Sequence, residues 1–171
     1  MFFFIFILKK RMVIYLFENE NRKWGAGIMP ICTTTGRILV QKRAPNIPDP
    51  NTCCTFGGKG EEGENFKDAA IREFEEESGY KGGIDNLTFI SKNQTNNGLT
   101  FYNYLCTVPT EFEVTTINKK IMGYVEVSDA KWLTLKELLQ LEDKHYGLQN
   151  ILNQKMPLLK KYIKNHVQKN I

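Results

Sequence analysis

The stretch from Gly58 to Tyr80, GKGEEGENFKDAAIREFEEESGY, limits what this chain can fold into more than any other. It reads as a helix from about residue 65 to 78, with Gly79 as its C-terminal cap. At about 100° per residue, Glu73, Glu76 and Glu77 share one face. Ala70, Ile71, Phe74 and Ser78 form the adjoining face, suited to packing on a sheet, and Glu75 points to solvent. Like charges three and four apart cost a helix ~0.2–0.5 kcal/mol per pair. Arg72 sets one positive charge against the cluster. The pattern therefore calls for a further cation, and hard carboxylate oxygens suit Mg²⁺ or Mn²⁺.

Before that helix, Gly57-Gly58-Lys59-Gly60 reads as a loop whose glycines let backbone approach a ligand closely. A carbonyl of Gly57 or Gly58 can join a metal shell, and Lys59 can reach a phosphate oxygen. Carboxylates for divalent ions beside a phosphate-sized gap imply metal-assisted phosphoryl chemistry. The net charge of +4 suits phosphorylated ligands and falls short of a dedicated nucleic-acid binder's basic stripe. Other chemistries are poorly served. No serine lies in GxSxG, Gly58-Lys59 is not followed by Ser or Thr, and the chain has only 2 histidines. The 4 cysteines, at 32, 53, 54 and 106, include no CxxC pair and read as reduced thiols of a cytoplasmic protein.

A length of 171 residues with 42% hydrophobic and 25% charged residues fits one globular domain. Residues 12–17, 25–33 and 37–42 read as strands, the last two joined by a turn at Thr34-Thr35-Gly36. The prolines within 44–52 make that stretch a loop. Further strands are expected over 87–92, 99–107 and 122–128. Alternation places Phe101 with Asn103 on one face of its strand and Tyr102 with Tyr104 on the other. Thr134 and Glu137 form a capping box for a short helix reaching about Leu141. Pro157 reads as the first residue of a last helix with an apolar stripe of Leu158, Leu159, Tyr162, Ile163, His166 and Val167. Strands interleaved with helices indicate a mixed sheet with helices packed on it. The apolar run Phe2–Leu8 is too short to span a bilayer, so residues 1–11 read as a leader, disordered or an extra strand, ahead of one domain over 12–171. After Asp143 the chain has no acidic residue. Its lysines read as the solvated face of a basic helix, with RNA or polyphosphate contact as the sharper alternative. Trp132 reads as a core anchor.

Taken together, Gly58, Glu64 and Arg72-Glu73-Phe74-Glu75-Glu76-Glu77-Ser78-Gly79-Tyr80 resemble the signature of the Nudix hydrolases, with seven fixed positions matched: Gly58, Glu64, Arg72, Glu73, Glu76, Glu77 and Gly79. Phe74 and Tyr80 stand at aliphatic positions, and Phe56 precedes the double glycine. Leu39–Arg43 looks like the family strand before the signature, whose basic end meets substrate phosphate. Glu126–Leu133 looks like a later family strand. The resemblance implies an α/β/α sandwich, a mixed β-sheet flanked by helices. It implies Mg²⁺-dependent (or Mn²⁺-dependent) hydrolysis of a nucleoside diphosphate linked to a group X. Metal ligands would be the Gly57 carbonyl, Glu73, Glu76 and Glu77. Arg72 would orient a glutamate through a salt bridge, and Glu64 would act through a bound water or an outer contact. Glu73 and Glu126 are the candidates for general base. Arg43, Lys59 and Gly58 would meet the substrate. A nucleoside triphosphate or related nucleotide is the expected substrate, with capped RNA or a diphosphoinositol polyphosphate as alternatives and a non-catalytic nucleotide-binding module as a third. Residues 95–98, Thr-Asn-Asn-Gly, lack the proline and the tyrosine that mark the ADP-ribose and diadenosine polyphosphate branches. A monomer or homodimer with no membrane partner is expected.

Overall fold

The computed structural model describes residues 24–95, 98–117, 120–121 and 124–167. The expected leader 1–11 and strand 12–17 lie outside the described residues. In chain order the elements are β1 (Trp24–Cys32), β2 (Ile38–Arg43), β3 (Cys53–Cys54), β4 (Phe56–Lys59), α1 (Phe66–Ser78), β5 (Thr88–Gln94), β6 (Thr100–Val108), β7 (Lys120–Ile121), β8 (Tyr124–Val125), β9 (Val127–Leu133), α2 (Leu135–Gln140) and α3 (Tyr146–His166).

Every residue of β1 after Trp24 is buried, as a central strand covered on both faces requires. One edge pairs with β6 in parallel along its whole length. The other edge has two antiparallel partners. β4 takes Gly25 to Ile28, and β2 joins at Ile31↔Ile38. The sheet therefore forks, with β2 on one prong and β4 on the other. β3 and β9 extend the β2 prong, and β5 closes the far edge on β6. β7 and β8 form a separate two-stranded sheet.

Alternation along the strands loads the two faces differently. Ala26, Ile28, Leu39 and Tyr104 pack with Ala69, Ala70 and Phe74 of α1. Met29, Ile31, Ile38, Val40 and Leu105 pack with Leu138 of α2 and Leu148, Ile151, Leu152 and Leu159 of α3. Helices on both faces of a mixed sheet make the expected α/β/α sandwich. The split of Phe101 from Tyr102 holds: Tyr102 joins the α1 side and Phe101 does not. Trp132 packs edge-on to Phe112 and donates its indole N–H to the Phe112 carbonyl, a core anchor as expected.

α1 starts where Asn65 accepts from the N–H groups of Lys67 and Asp68, and ends at Gly79 with φ 74°. The capping box of α2 is formed in full.

Three expectations need correction. Gly57–Lys59 is not a loop but part of β4, because its backbone completes the free edge of β1. Gly57 has φ 154°, and a Cβ there would run into the backbone of Ala26 and Gly27. The late strand read locally as ending at 128 runs on, as the resemblance implied: β9 spans Val127 to Leu133 because it pairs along all of β2, a non-local contact. α3 begins at Tyr146, not Pro157. The His145 side chain caps it, and Leu148, Ile151 and Leu152 carry the buried stripe through the proline. Pro157 forfeits its bond to the Asn153 carbonyl, and apolar burial of that stripe outweighs the loss.

Candidate active site

The fork in the sheet leaves a cleft of about 510 Å³. Gln41 and Arg43 enter it from β2, Gly57 to Lys59 from β4, and Glu73, Glu76 and Glu77 from α1. Glu126 reaches it from the break between β8 and β9, where its carbonyl accepts from the Ala44 N–H at 3.0 Å. Residues expected from the sequence thus meet in one place, with one exception: Glu64 lies behind Arg72, outside the cleft wall.

Arg72 organises the acidic side. Its Nε and Nη2 grip the two Glu64 oxygens at 2.9 and 3.1 Å, a bidentate pair. Its Nη1 donates to Glu73 at 3.0 Å and Glu76 at 3.2 Å, and Nη2 also donates to the Lys59 carbonyl at 3.0 Å. One guanidinium therefore ties three glutamates to β4. The bonds from Arg72 hold the Glu64 carboxyl below the usual carboxylate range, and hold the guanidinium firmly charged. Glycine is needed at 58, because a Cβ would stand 2.5 Å from the Glu73 carboxylate.

The three glutamates of α1 differ in depth. Glu76 is 45% exposed, Glu73 is largely covered, and Glu77 is buried. Glu77 Oε2 accepts from the Gly57 N–H at 2.6 Å and from Gln41 Nε2 at 2.8 Å. Burial still pushes its carboxyl up to about 8, and the charges of Glu73 and Glu126 add to the shift. Burial raises Glu73 and Glu126 as well, opposed by Arg72 and Arg43 respectively.

Gln41 is the cleft residue that sequence reasoning missed. It is 3% exposed, and its Oε1 has no hydrogen-bond partner among the described residues. Its Nε2 also donates to the Thr55 carbonyl. A glutamine in an apolar strand two places before a base was the available signal.

The donors fit a hard divalent ion. They are carboxylates and backbone carbonyls, a buried carboxylate lacks a cationic partner, and an orphaned amide oxygen stands beside it. Glu73, Glu76, Glu77 and Glu126 would hold the ion, with a carbonyl of Gly57 or Gly58. As placed, no three acidic, histidine or cysteine side chains among the described residues are drawn together tightly enough to do so. Arg72 holds two of the glutamates, and Gln41 with Gly57 holds the third.

The description of the NUDIX domain matches residues 21–154. The chain belongs to the Nudix family. It is accordingly a hydrolase of phosphoric anhydride bonds, in the class that cleaves a nucleoside diphosphate linked to X, and the family as a whole uses divalent metals. Among curated proteins none matches the chain. Solved structures do. RenU, a Nudix hydrolase of M. smegmatis, has TM-score 0.64 at 17% identity, covering 83% of this chain and 88% of its own. The MutT protein of Methanosarcina mazei has TM-score 0.62 at 15% identity, over 81% and 95%. An Ap4A hydrolase of C. elegans has TM-score 0.60 at 19% identity, over 80% and 98%. These likenesses establish the fold. No helix among the described residues is long and apolar enough to cross a membrane.

Proposed function

We propose that this Nudix chain is a Mg²⁺-dependent nucleotide pyrophosphohydrolase acting on a nucleoside triphosphate or a related nucleotide, as a cytoplasmic enzyme. The observation that carries the reading is the cleft itself, where four carboxylates and the bases Arg43 and Lys59 line one cavity of about 510 Å³. A bound Mg²⁺ supplies neutralisation of phosphate charge and a water of lowered pKa. Arg43 and Lys59 bind and orient the phosphates. Arg72 is a positioning residue, since it fixes Glu73 and Glu76 and braces them with Glu64. Glu73 and Glu126 are the two candidate bases lining the cleft, and burial raises the pKa of both, which makes each a better proton acceptor.

The test is a Mg²⁺-dependent turnover panel with Glu77→Gln as control. It sets nucleoside triphosphates against ADP-ribose, diadenosine polyphosphates (the C. elegans neighbour makes this arm worthwhile), diphosphoinositol polyphosphates and capped RNA. Preferred turnover of a nucleotide, lost in the variant, supports the reading. Ligand binding without turnover on any substrate would instead mark a regulatory module.

A further inference from the structure

The phosphate cleft continues into a second hollow of about 320 Å³, and the two share Arg43, Pro48 and Gly57 to Lys59. Phe101 and Asn103 of β6, Asn93 of β5, and His145 with Tyr146 at the start of α3 wall the far part. β1 makes room for it by lacking side chains. A Cβ at Gly25 would stand 2.9 Å from the Phe101 ring, and one at Gly27 would stand 3.1 Å from it. The register sets Gly25 beside Phe101 and Gly27 beside Asn103. The ring therefore fills the space above both glycines and forms a fixed aromatic wall. Tyr146 is 47% exposed although it opens a long packed helix. Its ring centroid lies 4.2 Å from that of His145.

The polar groups of the far part, apart from Asp49, are neutral. Asn103 is 4% exposed, and its Nδ2 is committed to Ser91 Oγ at 3.1 Å, which leaves Oδ1 as the acceptor. His145 Nδ1 accepts the Gly147 N–H, so the ring proton sits on Nε2, 3.4 Å from Asp49 Oδ2. The cations Arg43 and Lys59 stand at the mouth shared with the cleft, and Arg43 Nε is also tied to the Pro48 carbonyl at 2.8 Å.

We propose that this hollow is a nucleobase subsite, in which Phe101 and Tyr146 offer stacking surfaces while Asn103 and Asn93 read the edge of the ring. The inference deepens the reading of the chain as a nucleotide pyrophosphohydrolase and rests on it. A flat, uncharged heteroaromatic with donors and acceptors on its rim suits aromatic walls with amides between them. An inositol polyphosphate would need several cations inside the hollow, and they are confined to its mouth. The one carboxylate in the hollow, Asp49, lies 3.4 Å from Nε2 of the neutral His145 ring. Aromatic walls with amides between them, and no cation in the far part, fit a nucleobase.

The test compares the wild type with Phe101→Leu and Tyr146→Ala. KM is measured for ATP, GTP, CTP and UTP, and the inhibition constant is measured for inorganic tripolyphosphate, which carries phosphates and no base. Loss of a stacked ring raises KM for the preferred nucleotide by about tenfold, a larger factor than any fall in kcat, and leaves the tripolyphosphate constant unchanged. Unchanged KM in both variants overturns the proposal, and so does an equal shift for tripolyphosphate. Tyr146 is a surface residue, so its variant stays informative if Phe101→Leu disturbs folding. Should the wild type turn over none of the four nucleotides, ligand-observed NMR with AMP, GMP, CMP and UMP decides separately. Binding that is lost in Phe101→Leu keeps the subsite and discards the reaction. No binding by the wild type discards the subsite.

Discussion

The phosphate cleft and the hollow beside it are built by opposite means. The cleft draws its acidic side from successive turns of α1, and one guanidinium, Arg72, holds most of it in order. The far part of the hollow takes one or two residues each from β5, β6 and the start of α3, and no single bond organises it. Concentrated charge can be supplied by a single helix, because i, i+3 and i+4 positions already coincide in space. A flat neutral ring must be met from several directions at once, so its walls come from distant parts of the chain.

The largest effect expected is on the cleft. Glu77→Gln should lower kcat by at least ~10³-fold, as the loss of a metal ligand or of the metal itself would. Chelation should abolish turnover and added Mg²⁺ restore it. The same substitution should help the metal-free fold. The Glu77 carboxyl titrates at about 8 in the folded chain against an ordinary 4.5, so the folded state holds the proton more tightly. Stability of the metal-free protein should therefore fall as pH rises from about 4.5 to about 8. Glu77→Gln should flatten that fall and raise Tm at pH 8 by roughly 2–8 °C, read by thermal melts in chelator. A variant that melted lower than the wild type at pH 8 would make Glu77 a structural residue and break the contrast.

Next in size is Arg72→Lys. A lysine cannot hold Glu64 bidentately and reach Glu73 and Glu76 together, so kcat should fall by ~10²-fold while the tripolyphosphate inhibition constant moves little. Retained activity would show that α1 orders its own carboxylates.

Gly25→Ala probes the hollow from behind. Its Cβ would press on Phe101 and on the Gly58 carbonyl, so Tm should fall with a cost of ~1–3 kcal/mol. KM for the preferred nucleotide should rise with it.

The smallest effect is at His145. Burial and the nearby Arg43 charge hold its pKa below the ordinary value, against the pull of Asp49. The folded state thus keeps the ring neutral while the unfolded chain takes up a proton. Its share of stability is complete above about pH 6.5 and is lost as pH falls below that. His145→Asn keeps a side-chain cap without the titration, so the dependence of Tm on pH below 6.5 should be shallower by ~1–2 °C.

The contrast also explains what could be read from the sequence. Glu73, Glu76, Glu77, Arg72 and the C-terminal cap of α1 are local features, set by helical spacing and by Gly79. Arg43 and Glu126 were found through resemblance, and their meeting depends on β9 pairing along β2, which no local pattern displays. Gln41 gives only a weak local signal, because its importance lies in an orphaned oxygen beside a carboxylate distant in sequence. α3 was cut short because Pro157 is a strong local breaker, whereas the stripe that overrides it is a property of packing. With its true start missed, His145 and Tyr146 could not be placed beside Phe101.

The fork at β1 has a consequence for inheritance. β4 is common to both compartments and contributes mainly backbone, while the side chains on either side of it belong to separate segments. Changes at 93, 101, 103 or 146 can therefore accumulate in a lineage without touching the helix whose carboxylates line the cleft. A chain built on this plan can trade one leaving group for another by drift in a few positions, keeping its old chemistry throughout.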